Sequence, residues 1–279
     1  MTSTPIPTAL ERRRSEAGAL MAALRVGAGQ TLAGWPVLAG RCAFYVLLLA
    51  TLSALWDKVA AERLSGTLAH AVPEGGFALY IGVTEWITLS LPAAHLRLED
   101  DIRSGGLEPH LLRPKSYLAQ VIAQSLGAGL VRLTALGVTA LVLLALSGRG
   151  WPEPFVFVVL PVLGVAGVMV GLLLYVLAGL MAFWARRVLP FQLVTQKLMF
   201  LLGGLYAPVT LYPPVMEALA KATPFAAHLH WPASTMLEPS MTHAAIALGW
   251  QLIWIAVLMA ACQGLWRVGL AKVLARGGV

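Results

Sequence analysis

Six long apolar runs, parted by charged or proline-rich stretches, set the pattern of the chain: Trp35–Trp56, Gly76–Ala94, Ile122–Leu146, Pro154–Trp184, Leu189–Leu211 and Ala244–Trp266. At a helical rise of about 1.5 Å per residue, each covers the roughly 30 Å of a bilayer's hydrocarbon. Inside hydrocarbon the backbone must bond to itself, so the runs predict helices. The fourth is longer than a crossing needs and is expected to tilt or break. Trp35, Trp56, Trp151, Trp184, Trp250 and Trp266 flank the runs as an interfacial belt. The fold class expected is all-α: a polytopic membrane protein with six transmembrane helices in a single domain over residues 1–279.

Two segments outside the runs add to this picture. In Thr8–Gln30, Leu10, Ala17, Met21 and Leu24 fall near one helical face, with Arg13, Arg14, Glu16 and Arg25 mostly elsewhere. This predicts an amphipathic helix lying on the inner leaflet, within a cytoplasmic or interfacial region over residues 1–34. Residues 207–243 hold Pro208, Pro213, Pro214, Pro224, Pro232 and Pro239, yet also Val215, Met216, Leu219, Phe225 and Trp231. A wet loop would be more polar; short apolar pieces broken by proline fit re-entrant half-helices before the last span.

Composition agrees with the pattern. Hydrophobic types make up 58% of the 279 residues and charged types only 12%, about half the charged share of a soluble domain. The net charge of +7 comes from basic residues beside apolar runs, and no interleaved aromatic and basic motif for nucleic acid occurs. Thirteen lysines and arginines fall on the side of the N-terminal segment, residues 95–117, Arg186–Arg187 and the C-terminal tail, against four on the other. That bias places both termini in the cytoplasm and requires an even number of spans. Cys42 and Cys262 lie within apolar runs, far apart, and read as small buried residues.

Chemistry-bearing residues are few. There is no GxxxxGK[ST] phosphate loop, HExxH or GxSxG pattern. His228 and His230 have apolar neighbours and read as packing and hydrogen-bonding groups rather than metal ligands. Arg41, Arg132 and Lys197 fall within the runs, each nearer the cytoplasmic end, where a long basic side chain can snorkel or line a polar substrate path. Glu85 sits in the middle of the second run. A carboxyl there needs a partner, a proton or water. It pairs with Arg41 or Arg132, or it serves substrate contact or proton coupling; the sequence leaves both open. Residues 95–117 mix acids and bases, with Gly105, Gly106, Pro109 and Pro114 breaking them into short pieces, as in a docking element for a soluble partner.

The run Asp101-Ile102-Arg103-Ser104-Gly105, then Leu107 and Leu112-Arg113-Pro114, resembles the cytoplasmic loop of bacterial ABC type-2 permeases. Gly203-Gly204-Leu205-Tyr206-Ala207-Pro208, Leu211-Tyr212-Pro213 and Thr223-Pro224-Phe225 resemble that family's end of span five and re-entrant segment, and Arg267-Val268-Gly269-Leu270 its tail. The resemblance implies the permease subunit of an ATP-driven exporter in the bacterial inner membrane. It would pair with a second permease, homologous or identical, and dock a cytoplasmic ATPase through Glu99, Asp100, Asp101, Ile102, Arg103, Leu107 and Arg113. No cofactor is expected in this chain, because ATP and Mg would be bound by the ATPase. The competing readings are a proton-coupled secondary transporter using Glu85 and a membrane-embedded enzyme. The enzyme would need a convergent polar set that the spans do not offer.

Overall fold

A computed structural model describes residues 9–63, 76–104, 106–107, 116–147, 151–205 and 207–275. Among these every regular element is helical. Helix α1 (Ala9–Ala33) is separated from α2 (Trp35–Arg63) by Gly34 alone. Helix α3 (Gly76–Ser90) is followed after three residues by α4 (Ala94–Arg103). Helix α5 (Tyr117–Leu146) starts at an N-cap, where the Ser116 hydroxyl accepts from the Ala119 N–H at 3.4 Å. Helix α6 (Val156–Leu180) runs into a 3₁₀ turn (Met181–Phe183). Then come α7 (Leu189–Leu202), a second 3₁₀ turn (Val209–Leu211), α8 (Pro214–Lys221), α9 (Pro224–His228), α10 (His230–Ser234) and α11 (Met241–Ala275).

Among the described residues, five stretches are long and apolar enough to cross a membrane: Trp35–Leu55, Gly76–Arg103, Tyr117–Leu146, Val156–Phe183 and Met241–Ala275. The fifth expected run, Leu189–Leu211, is α-helical only over its 14-residue first part, about 21 Å at helical rise. It stops because the chain turns at Gly203 and Gly204, the latter at φ +70°, a conformation that only glycine adopts freely. The second expected run also departs from a single helix, since α3 ends at Ser90 and not at Ala94.

Helix α6 is the centre of the bundle, touching α3, α4, α5, α7, α9 and α11. Its glycines explain how so many neighbours fit. A Cβ on Gly164 would stand 2.6 Å from the Trp86 ring and one on Gly167 would stand 2.8 Å from the His228 carbonyl oxygen. One on Gly179 would stand 2.9 Å from His95 Cα. Small residues let helices approach to backbone contact, the packing that lipid-embedded bundles favour. The His228 contact lies about 16 Å along α6 from its first residue at helical rise, so the proline-broken segment folds back to the middle of the bundle. Gln251 of α11 fixes it there, donating from Nε2 to the carbonyls of Leu163 (2.9 Å) and Ala227 (3.2 Å).

Helix α1 packs along α5 by the same means. Gly27 lies on the Gln124 carbonyl and Gly127 on the Leu24 carbonyl. The face α1 turns to the protein is therefore a small-residue stripe through Gly27, Ala28 and Thr31. Met21, one of the residues expected on an apolar lipid-facing stripe, is exposed along with Leu20, Val26 and Leu32 on other sides of the helix. The side chain of Leu10 lies outside the described residues.

Candidate functional site

Pro92 organises the first site. A proline has no N–H and disfavours helical backbone in the residue before it, so the second span breaks between Ser90 and Ala94 and leaves carbonyls without helical donors. Two arginines from neighbouring helices cap them. Arg41 of α2 donates from Nη1 to the Leu89 carbonyl at 3.1 Å, and Arg132 of α5 donates from Nη1 to the Leu91 carbonyl at 2.9 Å. Both cations also sit at the C-terminal, electronegative end of α3. With Arg97, Gln30, Gln124, Thr31 and Ser125 they line a cavity of about 370 Å³. Arg97 bonds to Gln124, and Gln124 donates in turn to Gln30 Oε1 at 2.9 Å.

Glu85 lies one turn further up α3 and is 4% exposed. It pairs with neither Arg41 nor Arg132, whose guanidinium groups are engaged at the helix break. Of the two readings left open by the sequence, the pairing is not the arrangement seen: the two arginines meet the backbone carbonyls freed by Pro92 instead. Next to Glu85 in the helix, Trp86 donates from Nε1 to the Leu133 carbonyl at 2.7 Å. The Tyr45 hydroxyl donates to the Gly82 carbonyl at 2.8 Å. Above them α2, α3, α5 and α6 line a second, partly open cavity of about 480 Å³, walled by Leu49, Leu79, Val83, Trp86, Leu144 and Leu160 among others. It is apolar and of the size that small-molecule sites occupy. Lys197 belongs to neither cavity; it lies on α7 with its ammonium 5.8 Å from the Phe200 ring centre.

The charged segment after the break is a helix, α4, at the end of the bundle where α5 begins and α6 and α11 finish. Glu99 Oε1 takes two donors: Arg103 at 3.3 Å and the Val188 N–H at 3.1 Å, which ties α4 to the turn before α7. Asp101 accepts from the Tyr117 hydroxyl and lies 3.6 Å from Arg97. Ile102 (6% exposed) and Leu107 (0%) are in the protein's own core and offer no surface to a partner, contrary to their expected role as docking anchors. Helical periodicity turns Ile102 inward together with His95 and Leu98, toward α6. Asp100 and Arg103 remain exposed, at the same end of the bundle as Arg186 and Arg187. Glu108 and Arg113 lie outside the described residues.

The family model for ABC-2 family transporter proteins matches residues 76–277, from the start of α3 to the C-terminal tail. The chain belongs to the ABC-2 transporter family. It is thus a membrane component of an ABC transporter, as the sequence resemblance implied. No match was found among curated proteins. Helices α1 and α2 precede the matched region, so Arg41 and Tyr45 are joined to the family's part of the chain only through the structure.

In this ABC-2 protein the histidines of the 207–243 segment hold it in place. The His228 ring meets the Gly167 carbonyl through Nδ1 at 2.8 Å, and the His230 ring meets the Tyr80 hydroxyl at 3.2 Å. Sequence reasoning missed Arg97, Gln30 and Gln124 as residues that line one cavity with the intramembrane arginines. Pro92, near the end of an apolar run with an arginine on each neighbouring run, was the available signal.

Proposed function

We propose that this ABC-2 protein is the permease subunit of an exporter for a hydrophobic or amphipathic molecule, driven by a separate cytoplasmic ATPase that binds ATP and Mg. The observation that carries the reading is the juxtaposition of an apolar cavity between α2, α3, α5 and α6 with a charged face, Asp100, Arg103, Arg186 and Arg187, at one end of the same bundle. The basic residues at that end support a cytoplasmic orientation in a bacterial inner membrane, with both chain ends on that side. A second permease copy or homologue would complete the path, and the exposed Phe191, Leu193, Val194 and Leu201 of α7 give it an apolar face to meet. The segment around α9 and α10 dips in from the outer side without crossing.

Asp100→Lys tests the docking face cleanly, because Asp100 is exposed whereas Glu99 and Asp101 hold contacts inside the chain. The permease is co-expressed with its cytoplasmic ATPase subunit, purified and assayed for ATP hydrolysis. The variant is expected to insert normally and to lose most of the permease-dependent ATPase activity. Unchanged co-purification and stimulation would remove α4 as the docking element. The buried Glu85, with no ion pair among the described residues, favours one rival, a proton-coupled secondary transporter; transport into vesicles that follows a pH gradient and ignores ATP would establish it.

A further inference from the structure

The cavity below the α3–α4 break has more cationic capacity than the break requires. Each of Arg41 and Arg132 uses one guanidinium nitrogen on a backbone carbonyl, and a guanidinium carries five N–H donors. Among the described residues no acidic side chain lines the cavity. Arg97 has Asp101 at 3.6 Å; Arg41 and Arg132 have no carboxylate partner among the described residues. Two half-buried cations that face one open space are costly unless an anion joins them. The walls supply further donors for one: the hydroxyl of Ser125, and the backbone at Ala93 and Ala94, where the ten-residue helix α4 begins. Planar guanidinium groups lining one cavity match phosphate oxygens better than they match a single carboxylate.

The mouth tells which phosphate. Val37 and Leu38 form part of the cavity wall, and Val37 is 68% exposed on the outer face of α2, in line with exposed Phe44. An occupant whose head fills the arginine cavity therefore has an apolar strip along α2 for its tail. We propose that this cavity binds the phosphate headgroup of a membrane amphiphile entering from the leaflet beside α1, with its chains lying along α2. The site does not depend on the exporter reading, since it holds whether the bound lipid is cargo or a resident of the fold.

The test uses the full chain in an uncharged maltoside detergent, with lipid occupancy read by native mass spectrometry and by thermal stabilisation. Short-chain phosphatidylglycerol, inorganic phosphate and an uncharged glycolipid are titrated separately. Phosphatidylglycerol is expected to bind in saturable, one-to-one fashion, with the other two far weaker. Arg41→Gln/Arg132→Gln should abolish binding. Should that variant not fold, Arg97→Gln, which leaves both helix caps intact, should weaken it about tenfold, as for loss of one charged hydrogen bond. Equal stabilisation by inorganic phosphate would overturn the headgroup assignment in favour of a free-anion site. Equal binding of the glycolipid, or wild-type affinity in folded arginine variants, would overturn the site itself.

Discussion

Replacing Gly127 with alanine inserts one methyl group where α5 meets α1, and the closeness of that contact sets the size of the effect. The new Cβ would overlap the Leu24 carbonyl oxygen and stand 2.8 Å from its carbon. Carbon atoms rest about 3.5–4.0 Å apart, so α1 must retreat by roughly 1 Å. The obstacle is backbone and cannot rotate away. Overpacking of this kind costs about 1–3 kcal/mol, or a fall of roughly 3–10 °C in unfolding temperature. The retreat also draws Gln30 and Thr31 away from the arginine cavity. Gly29 is the control. It lies two residues from Gly27 on the same helix, with nothing within 4 Å of its added Cβ, so Gly29→Ala gains helix propensity of up to about 1 kcal/mol and should raise the temperature. The two substitutions are chemically identical and should move stability in opposite directions. Gly27→Ala meets the Gln124 carbonyl across the same contact and should combine with Gly127→Ala less than additively, because one displacement relieves both overlaps. The measurement is intrinsic tryptophan fluorescence on heating in detergent. If Gly127→Ala and Gly29→Ala both unfold with the wild type, α1 does not dock on α5 as described.

Three further outcomes are expected. Glu85→Gln should express and unfold like the wild type, because the buried carboxyl has no ion pair among the described residues to lose, whereas Glu85→Lys should lose several kcal/mol by placing a new charge at that depth; equal stability of the two in detergent would contradict a buried position. Trp86→Phe removes the Nε1–H bond to Leu133 and should cost about 1 kcal/mol, seen as a fall of a few degrees in the same melt. Reporter fusions before Thr2 and after Val279 should both report cytoplasm; opposite sides would mean that α7 does not cross and that the span number is odd.

The long spans are legible because length and apolarity are local properties of the sequence. The features that escape it are decided between elements. Nothing local distinguishes Leu189–Leu202 from the rest of its apolar run until Gly204 takes a positive φ. The charges of α4 mark it as wet, but only the packed bundle shows that Ile102 and Leu107 face the core. Glu85, Arg41 and Arg132 stand out in the sequence as costly residues. Their partners do not, because a charge pair is the obvious remedy and a proline-freed carbonyl is visible only once the helix is seen to stop. Hydrophobic patterning places Met21 on a lipid-facing stripe, while the contact that holds α1 runs through glycine, which such patterning does not register.

The glycines of α6 also bear on when this protein becomes ordered. In water a mid-helix glycine weakens a helix by about 1 kcal/mol relative to alanine. In a bilayer the unbonded backbone costs far more, so α6 is helical before it meets its neighbours. Docking then fixes side chains, at about 0.5–1 kcal/mol of lost rotamer freedom for a leucine or isoleucine. Gly164, Gly167 and Gly179 have no rotamers to lose. The surface that receives Trp86, the His228 backbone and α4 is as ordered alone as it is in the assembled bundle, and the entropy of assembly falls on the partners.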